Sequence, residues 1–231
     1  MSRREDILDP SRFWSESAIK SGLLYSDVLG WLDMGHARGD DIQELLARFS
    51  AGEASGKEYY EIKYEQKMAI SRFNTGRFSI WRIKRGRSIE QRRSIILAMM
   101  MNTAVAFENW QSMPWFSWFT DSGFSSEDLV SDLFGFYRVN FPRIYWRDLR
   151  IASKESALRR WDYYGPVGDY KNTGFLPLLF PDPIDKQLCY RAPYKAQLPR
   201  FMMQVTPYKL RPGDDTVYRT SKRAGISVAM E

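Results

Sequence analysis

The single histidine of the chain, His36, lies in the segment Gly30-Trp31-Leu32-Asp33-Met34-Gly35-His36-Ala37-Arg38-Gly39-Asp40-Asp41. One imidazole, one guanidinium and three carboxylates fall within nine residues there, between glycines that free the backbone beside the ring. Such a loop suits an oriented acid or base, or one ligand of a mixed His/carboxylate metal site. A lone histidine excludes zinc sites built from two or three imidazoles. A lone cysteine, Cys189, excludes an internal disulfide and a Cys-based zinc site. Acid–base chemistry in this chain therefore rests mainly on carboxylates, with His36 as one specialised member.

Glu108 is the first of these carboxylates. It ends a long apolar run and is followed closely by Trp110, so partial desolvation would raise its pKa toward the range of a general acid. In Ser125-Ser126-Glu127-Asp128-Leu129-Val130-Ser131-Asp132, helical spacing puts Asp128 and Asp132 on one face with Ser131 nearby. Paired carboxylates can bind a cation or share a proton. Glu127 reads as an acid that favours the helix N-terminus. Glu65 is either a second catalytic carboxylate or part of a charged face with Glu61, Lys63 and Lys67. The basic stretch Arg82-Ile83-Lys84-Arg85-Gly86-Arg87, with Arg92, Arg93, Phe78 and Trp81, is either a grip for phosphates and bases or a soluble hairpin edge. Phosphate-binding glycine loops, dinucleotide fingerprints and a G-x-S-x-G elbow are missing, so no cofactor is expected and no metal is assigned.

The elements that must position these groups are mostly helical. Leu23 to Met34 reads as a strand or turn that delivers His36 to a loop. Asp40 or Asp41 caps a helix from Ile42 to Phe49, ended by Gly52 to Gly56. Glu58 to Ile70 fits either strand or helix, whereas Phe78 to Lys84 is a strand. Ser88 and Gln91 form a capping box at the head of a helix to Trp110 that is apolar nearly all round, hence buried and central. Further helices start at Ser125 or Ser126 and span Lys154 to Tyr163. Eight of the eleven prolines lie in 166–231, which predicts an extended wrap with a frayed end after Arg211. The expected fold is α+β and mainly helical, with a central buried helix, a small antiparallel sheet from 58–84 and an irregular C-terminal wrap. The expected domains are a helical core with the sheet over 1–164 and a Pro-rich segment over 165–231 packed on it.

The net charge of +6 favours an anionic partner such as a wall polymer, nucleic acid or anionic lipid. No apolar run is long enough to span a bilayer, and Met1 to Trp14 has no apolar signal-peptide core, so cytoplasmic synthesis is expected. Eight tryptophans suggest ligand walls or interfaces as well as core.

Three segments together, Gly30 to Arg38, Ala106-Phe107-Glu108 and Ser126 to Gly135, resemble a poorly characterised family of bacterial envelope-associated proteins, some of them lipoproteins. They are also similar to antibacterial effectors delivered by type VI secretion. The likeness covers about residues 22–140. It implies that His36, Arg38, Glu108 and Asp128 share one site in the envelope compartment. The missing signal peptide suits an effector carried into a target-cell periplasm by a specialised secretion system, with an immunity protein as a second partner.

These readings converge on a peptidoglycan hydrolase cutting glycosidic bonds, with amidase or peptidase action as second choice. Glu108 would be the general acid. Asp128, or Glu65, would orient water or stabilise positive charge on the sugar. His36 and Arg38 would hold a carboxylate of the substrate or of the site, Asp132 would contact substrate, and Trp110, Trp115 and Trp118 would stack on sugar rings. The alternatives are a nucleic-acid-binding protein or nuclease that uses residues 82–93, and a non-catalytic interaction protein.

Overall fold

The computed structural model describes residues 2–70, 73–111, 127–185, 192–220 and 225–230, with backbone alone over 66–70, 73–77, 105–111 and 225–230. The chain forms two compact units, Met1–Gly39 with Thr120–Met203, and Asp40–Phe119 with Gln204–Glu231.

The first unit is built on the hairpin of β1 (Leu23–Ser26) and β2 (Gly30–Asp33), registered from Leu23 opposite Asp33 to Ser26 opposite Gly30. Two short strands from the C-terminal half complete its sheet. β5 (Leu178–Leu179) pairs parallel to β2, and β6 (Tyr194–Lys195) antiparallel to β5. Tyr25 and Trp31 meet edge to face at 5.2 Å, and Trp31 meets Trp161 at 5.8 Å. Trp161 belongs to α4 (Lys154–Tyr164), whose N-terminal Ser156 amide is capped by the Ser153 hydroxyl. Ile7, Leu23, Val167 and Phe180 fill out this core.

Arg160 of α4 is buried with its charge satisfied. Its guanidinium donates to Phe180 O (2.8 Å) and to Asp182 (3.3 Å), reaches Asp27 at 3.4 Å, and lies 4.2 Å from the centre of the Tyr25 ring. Burial pushes the Asp182 carboxyl up. Hydrogen bonds from Arg159, Ser156 and Ile184 N, with the Arg160 charge, outweigh it and bring the pKa down to about 2.

The second unit carries β3 (Tyr59–Ile70) and β4 (Phe73–Lys84), paired antiparallel along their full length. Tyr60, Ile62 and Tyr64 are buried between exposed Glu61 and Lys63, so the period is two and Tyr59–Ile70 is a strand. Ser79, Trp81 and Ile83 continue the buried face on β4. α1 (Asp40–Ala54) and α2 (Ile89–Gln111) pack against this sheet. The Ser88–Gln91 capping box is present at α2, with Ser88 N donating to Gln91 Oε1 (3.0 Å) and Gln91 N to Ser88 Oγ (3.2 Å). Ile95 to Met100 of α2 are buried without a break. The other edge of β4 holds β7 (Val217–Arg219) along residues 81–83 and β8 (Gly225–Met230) along 73–78.

These observations correct the expected fold class. The chain is α+β, but helix takes 43 % and strand 18 %, in two sheets instead of one small one. One sheet is mixed, not antiparallel, because β5 joins β2 in parallel. The region expected to be an irregular wrap with a frayed end supplies strands to both sheets. Strands of two or three residues carry no periodicity of their own; they form because the edges of β2 and β4 need hydrogen-bond partners.

Candidate acid–base site

β2 ends at Asp33, and the chain turns at once through a short 3-10 helix, His36–Arg38. Asp33 builds that turn. Its Oδ1 accepts from Gly35 N (2.7 Å) and His36 N (3.3 Å), while its own amide donates to the Ser131 hydroxyl (3.0 Å). Ser131 belongs to α3 (Asp128–Asn140), against which the turn is seated. Two glycines permit the approach. Gly39 ends the turn in the left-handed region (φ 67°), and a Cβ there would lie 2.7 Å from Gly135 O. A Cβ on Gly135 of α3 would lie 3.0 Å from His36 O. Arg138, one turn further along α3, donates to Ala37 O (2.6 Å) and Glu16 O (3.2 Å), tying the turn to the N-terminal segment.

This seating brings His36 Nδ1 to 2.9 Å from Asp132 Oδ1. Desolvation disfavours the imidazolium, but 46 % of the side-chain surface stays open. The charge and hydrogen bond of Asp132, then the charges of Asp128 and Asp33, prevail and hold the pKa well above the ordinary 6.5. The raised pKa favours the imidazolium at neutral pH, so His36 is a proton donor or a fixed cation there.

Glu127 precedes α3 and is 3 % exposed. It makes no side-chain cap to the helix. Its Oε1 accepts from the Ser2 hydroxyl (2.9 Å), and its Oε2 is buried without a hydrogen-bond partner among the described residues. Burial, the largest influence, raises its carboxyl pKa; a hydrogen bond from its own backbone N–H, the Ser2 hydrogen bond and the His36 charge act the other way, and the Asp33 charge adds to the rise. Sequence reasoning read Glu127 as a first-turn acid that favours the helix N-terminus, behind a Ser125 or Ser126 cap, and missed it. Such an acid is expected to face solvent, and only its place beside the apolar Leu129-Val130 run hinted at burial.

The structure thus unites Asp33, His36, Asp128 and Asp132 around one turn and one helix end, with Arg38 exposed on the same turn. Glu108 and Trp110 lie on the last turn of α2 in the second unit, with side chains outside the described residues, and Trp115, Trp118, Ser125, Ser126 and Cys189 lie outside them altogether. Glu65 is on β3 in the second unit, paired with Lys63 at 3.0 Å. Of the basic stretch, Arg82 stands 4.9 Å over Tyr59, Lys84 pairs with Glu58 at 3.5 Å, and Arg87 donates to Lys84 O and Thr216 O. Trp81 is fully buried, its indole N–H donating to Ser79 Oγ (3.2 Å), so it offers no face to a base.

Among the described residues no group of three or more His, Cys, Asp or Glu side chains is arranged to hold a metal ion. No helix among them is long and apolar enough to cross a membrane. No protein-family model, no curated protein and no solved structure matches this chain.

Proposed function

We propose that the protein is an antibacterial effector that hydrolyses peptidoglycan, by carboxylate-based cleavage of glycosidic bonds. The observation that carries this reading is the His36–Asp132 pair, fixed at 2.9 Å on a half-open ring and set among further carboxylates. Glycoside cleavage needs a carboxyl that gives a proton to the leaving oxygen and a second, ionised carboxylate that activates water or meets the positive sugar carbon. In this reading Asp128 is the ionised carboxylate that orients water. Cationic His36 holds the Asp132 carboxylate in place, and Arg38 beside it holds a carboxylate of the wall polymer. The net charge of +6 draws the protein to that polymer. Delivery into a target-cell periplasm, and an immunity protein that protects the producer, belong to the same proposal.

The test is mass spectrometry of purified peptidoglycan after incubation with wild type and with His36→Ala. Cut glycan strands that disappear in His36→Ala support the reading. Cut peptide stems retain the wall as substrate and move the chemistry to an amidase or peptidase centred on His36. Intact material from wild type refutes wall hydrolysis. Salt-sensitive nucleic-acid binding lost on Arg85→Ala would then favour the basic segment.

A further inference from the structure

A strand with a neighbour on one side only turns a row of backbone N–H and C=O groups outward on the other. β3 is such a strand. β4 lies along one side, and among the described residues no strand lies along the other. The hydrogen bonds of β4 tell which residues face that outer edge. Lys84 N donates to Thr216 O (2.7 Å), and Ile80 O accepts from Thr220 N (2.9 Å). The even-numbered residues of β4 therefore turn their backbone groups toward β7, and the odd-numbered ones toward β3. Ser79, Trp81 and Ile83 stand opposite Tyr64, Ile62 and Tyr60. It follows that Glu61, Lys63 and Glu65 turn their N–H and C=O groups to the outer edge. Arg48 of α1 marks the same side, since it donates to Lys63 O (2.7 Å). Beside the edge at this point is a cleft of about 380 Å³, between Asp41, Glu44, Leu45 and Arg48 of α1 and Lys63, Tyr64 and Glu65 of β3.

The sequence along this edge alternates in charge: Glu61, Lys63, Glu65, Lys67. An identical strand laid antiparallel about a two-fold axis at Tyr64 brings Lys63 opposite Glu65 and Glu61 opposite Lys67, each pair twice. Opposite charges facing each other across two strands are stabilising, and like charges are destabilising. Registers that keep the side-chain faces matched move the axis by one residue. With the axis at Lys63, that residue meets its own copy and Glu61 meets Glu65. With the axis at Glu65, that residue meets its own copy and Lys63 meets Lys67. Charge thus selects the axis at Tyr64. The backbone agrees, because in that register Lys63 and Glu65 form an edge pair that exchanges both N–H to O bonds.

We propose that the outer edge of β3 is a homodimer interface, to which a second copy of the chain adds its own β3 antiparallel about a two-fold axis at Tyr64. The row of charges is complementary to itself, as an isologous interface requires. In the single chain Arg48 covers Lys63 O. In the dimer the Glu65 N–H of the second copy takes that place, and Arg48 keeps Glu44 as its ion-pair partner (2.6 Å). The two β3–β4 sheets become one continuous sheet, and the interface makes no use of the His36 site.

Sedimentation equilibrium of the full chain tests this through a pair of charge variants. Wild type should pass reversibly from one chain to two as concentration rises. Lys63→Glu alone, or Glu65→Lys alone, should weaken pairing by about tenfold or more, because two symmetric pairs turn from attraction to repulsion. An equimolar mixture of Lys63→Glu with Glu65→Lys should pair again, since every opposed position then carries opposite charges. Hydrogen exchange of the wild type reads the same edge without a substitution. The amides of Glu61, Lys63 and Glu65 should exchange more slowly as the dimer fills, by the fraction dimerised. A wild type that stays a single chain up to about 1 mM overturns the proposal. So does a Lys63→Glu protein that pairs as wild type does, or exchange at these three amides that ignores concentration.

Discussion

Gly135→Ala tests whether the seating of the turn on α3 creates the His36–Asp132 pair. Two effects oppose each other. Alanine in a helix interior is favoured over glycine by about 0.8–1 kcal/mol. The new Cβ, however, would stand 3.0 Å from His36 O and 3.2 Å from Gly39 Cα and N, where ordinary contact begins at 3.4 Å. All three atoms are backbone, so no side chain can rotate away, and the turn must lift by about 0.4 Å, the difference between 3.4 and 3.0 Å. Overpacking of this kind costs about 1–3 kcal/mol, so a net loss of roughly 1 kcal/mol is expected, or about 2–4 °C in Tm for a chain of this length. The same lift, transmitted to the ring, would stretch the 2.9 Å Nδ1–Oδ1 contact to about 3.3 Å, past the usual limit for an N–H donor. The His36 pKa should then fall toward the ordinary imidazole range. Thermal melts and proton NMR titration of the single histidine measure both effects. Gly174→Ala is the control, since a Cβ at Gly174 meets nothing within 4 Å. A Gly135→Ala protein that melts with the control and titrates like wild type would refute the reasoning.

Asp132→Asn keeps an acceptor for the ring but removes the charge. The His36 titration should move down, and wall hydrolysis should drop by roughly a hundredfold; an unmoved titration would show that Asp128 and Asp33 suffice. The stability that the pair supplies has a definite pH window. The folded-state pKa of His36 is raised, so its contribution is complete below the unfolded value near 6.5 and is lost as pH rises through the folded value. Denaturation curves from pH 6 upward should show that loss in wild type and a smaller one in Asp132→Asn. Asp182 has the opposite sign. Its pKa is depressed from 3.8 to about 2, so its contribution is present above the unfolded value and disappears as pH falls through 2. After a discount for solvent screening this is about 1 kcal/mol. Asp182→Asn should remove that acid-side slope in urea denaturation at pH 2–4, and a slope unchanged by the substitution would rule Asp182 out as its source.

The contrast between Glu108 and Glu127 shows what local sequence carries. Helical spacing predicted that Asp128, Ser131 and Asp132 would lie close together, and α3 provides that. The flanking glycines marked the His36 loop as unusual. Spacing says nothing of which side of a helix end is covered, because cover comes from residues far away in sequence. Ser2 reaches Glu127 across 125 positions and the turn reaches Asp132 across 96. The same cause lies behind the misjudged C-terminal region. Leu178 and Val217 become strand residues because β2 and β4 expose unpaired edges, which no window around residues 178 or 217 contains. Residues that take their structure from their own neighbours, such as the Ser88–Gln91 box or the strand from Phe78 to Lys84, are therefore legible early. Residues whose chemistry depends on being desolvated by a distant segment are legible only in the fold, and Glu127, whose carboxyl pKa is raised by burial, is of that second kind. An exposed carboxyl, whatever its sequence context, has water to stabilise its anion and no reason to keep the proton.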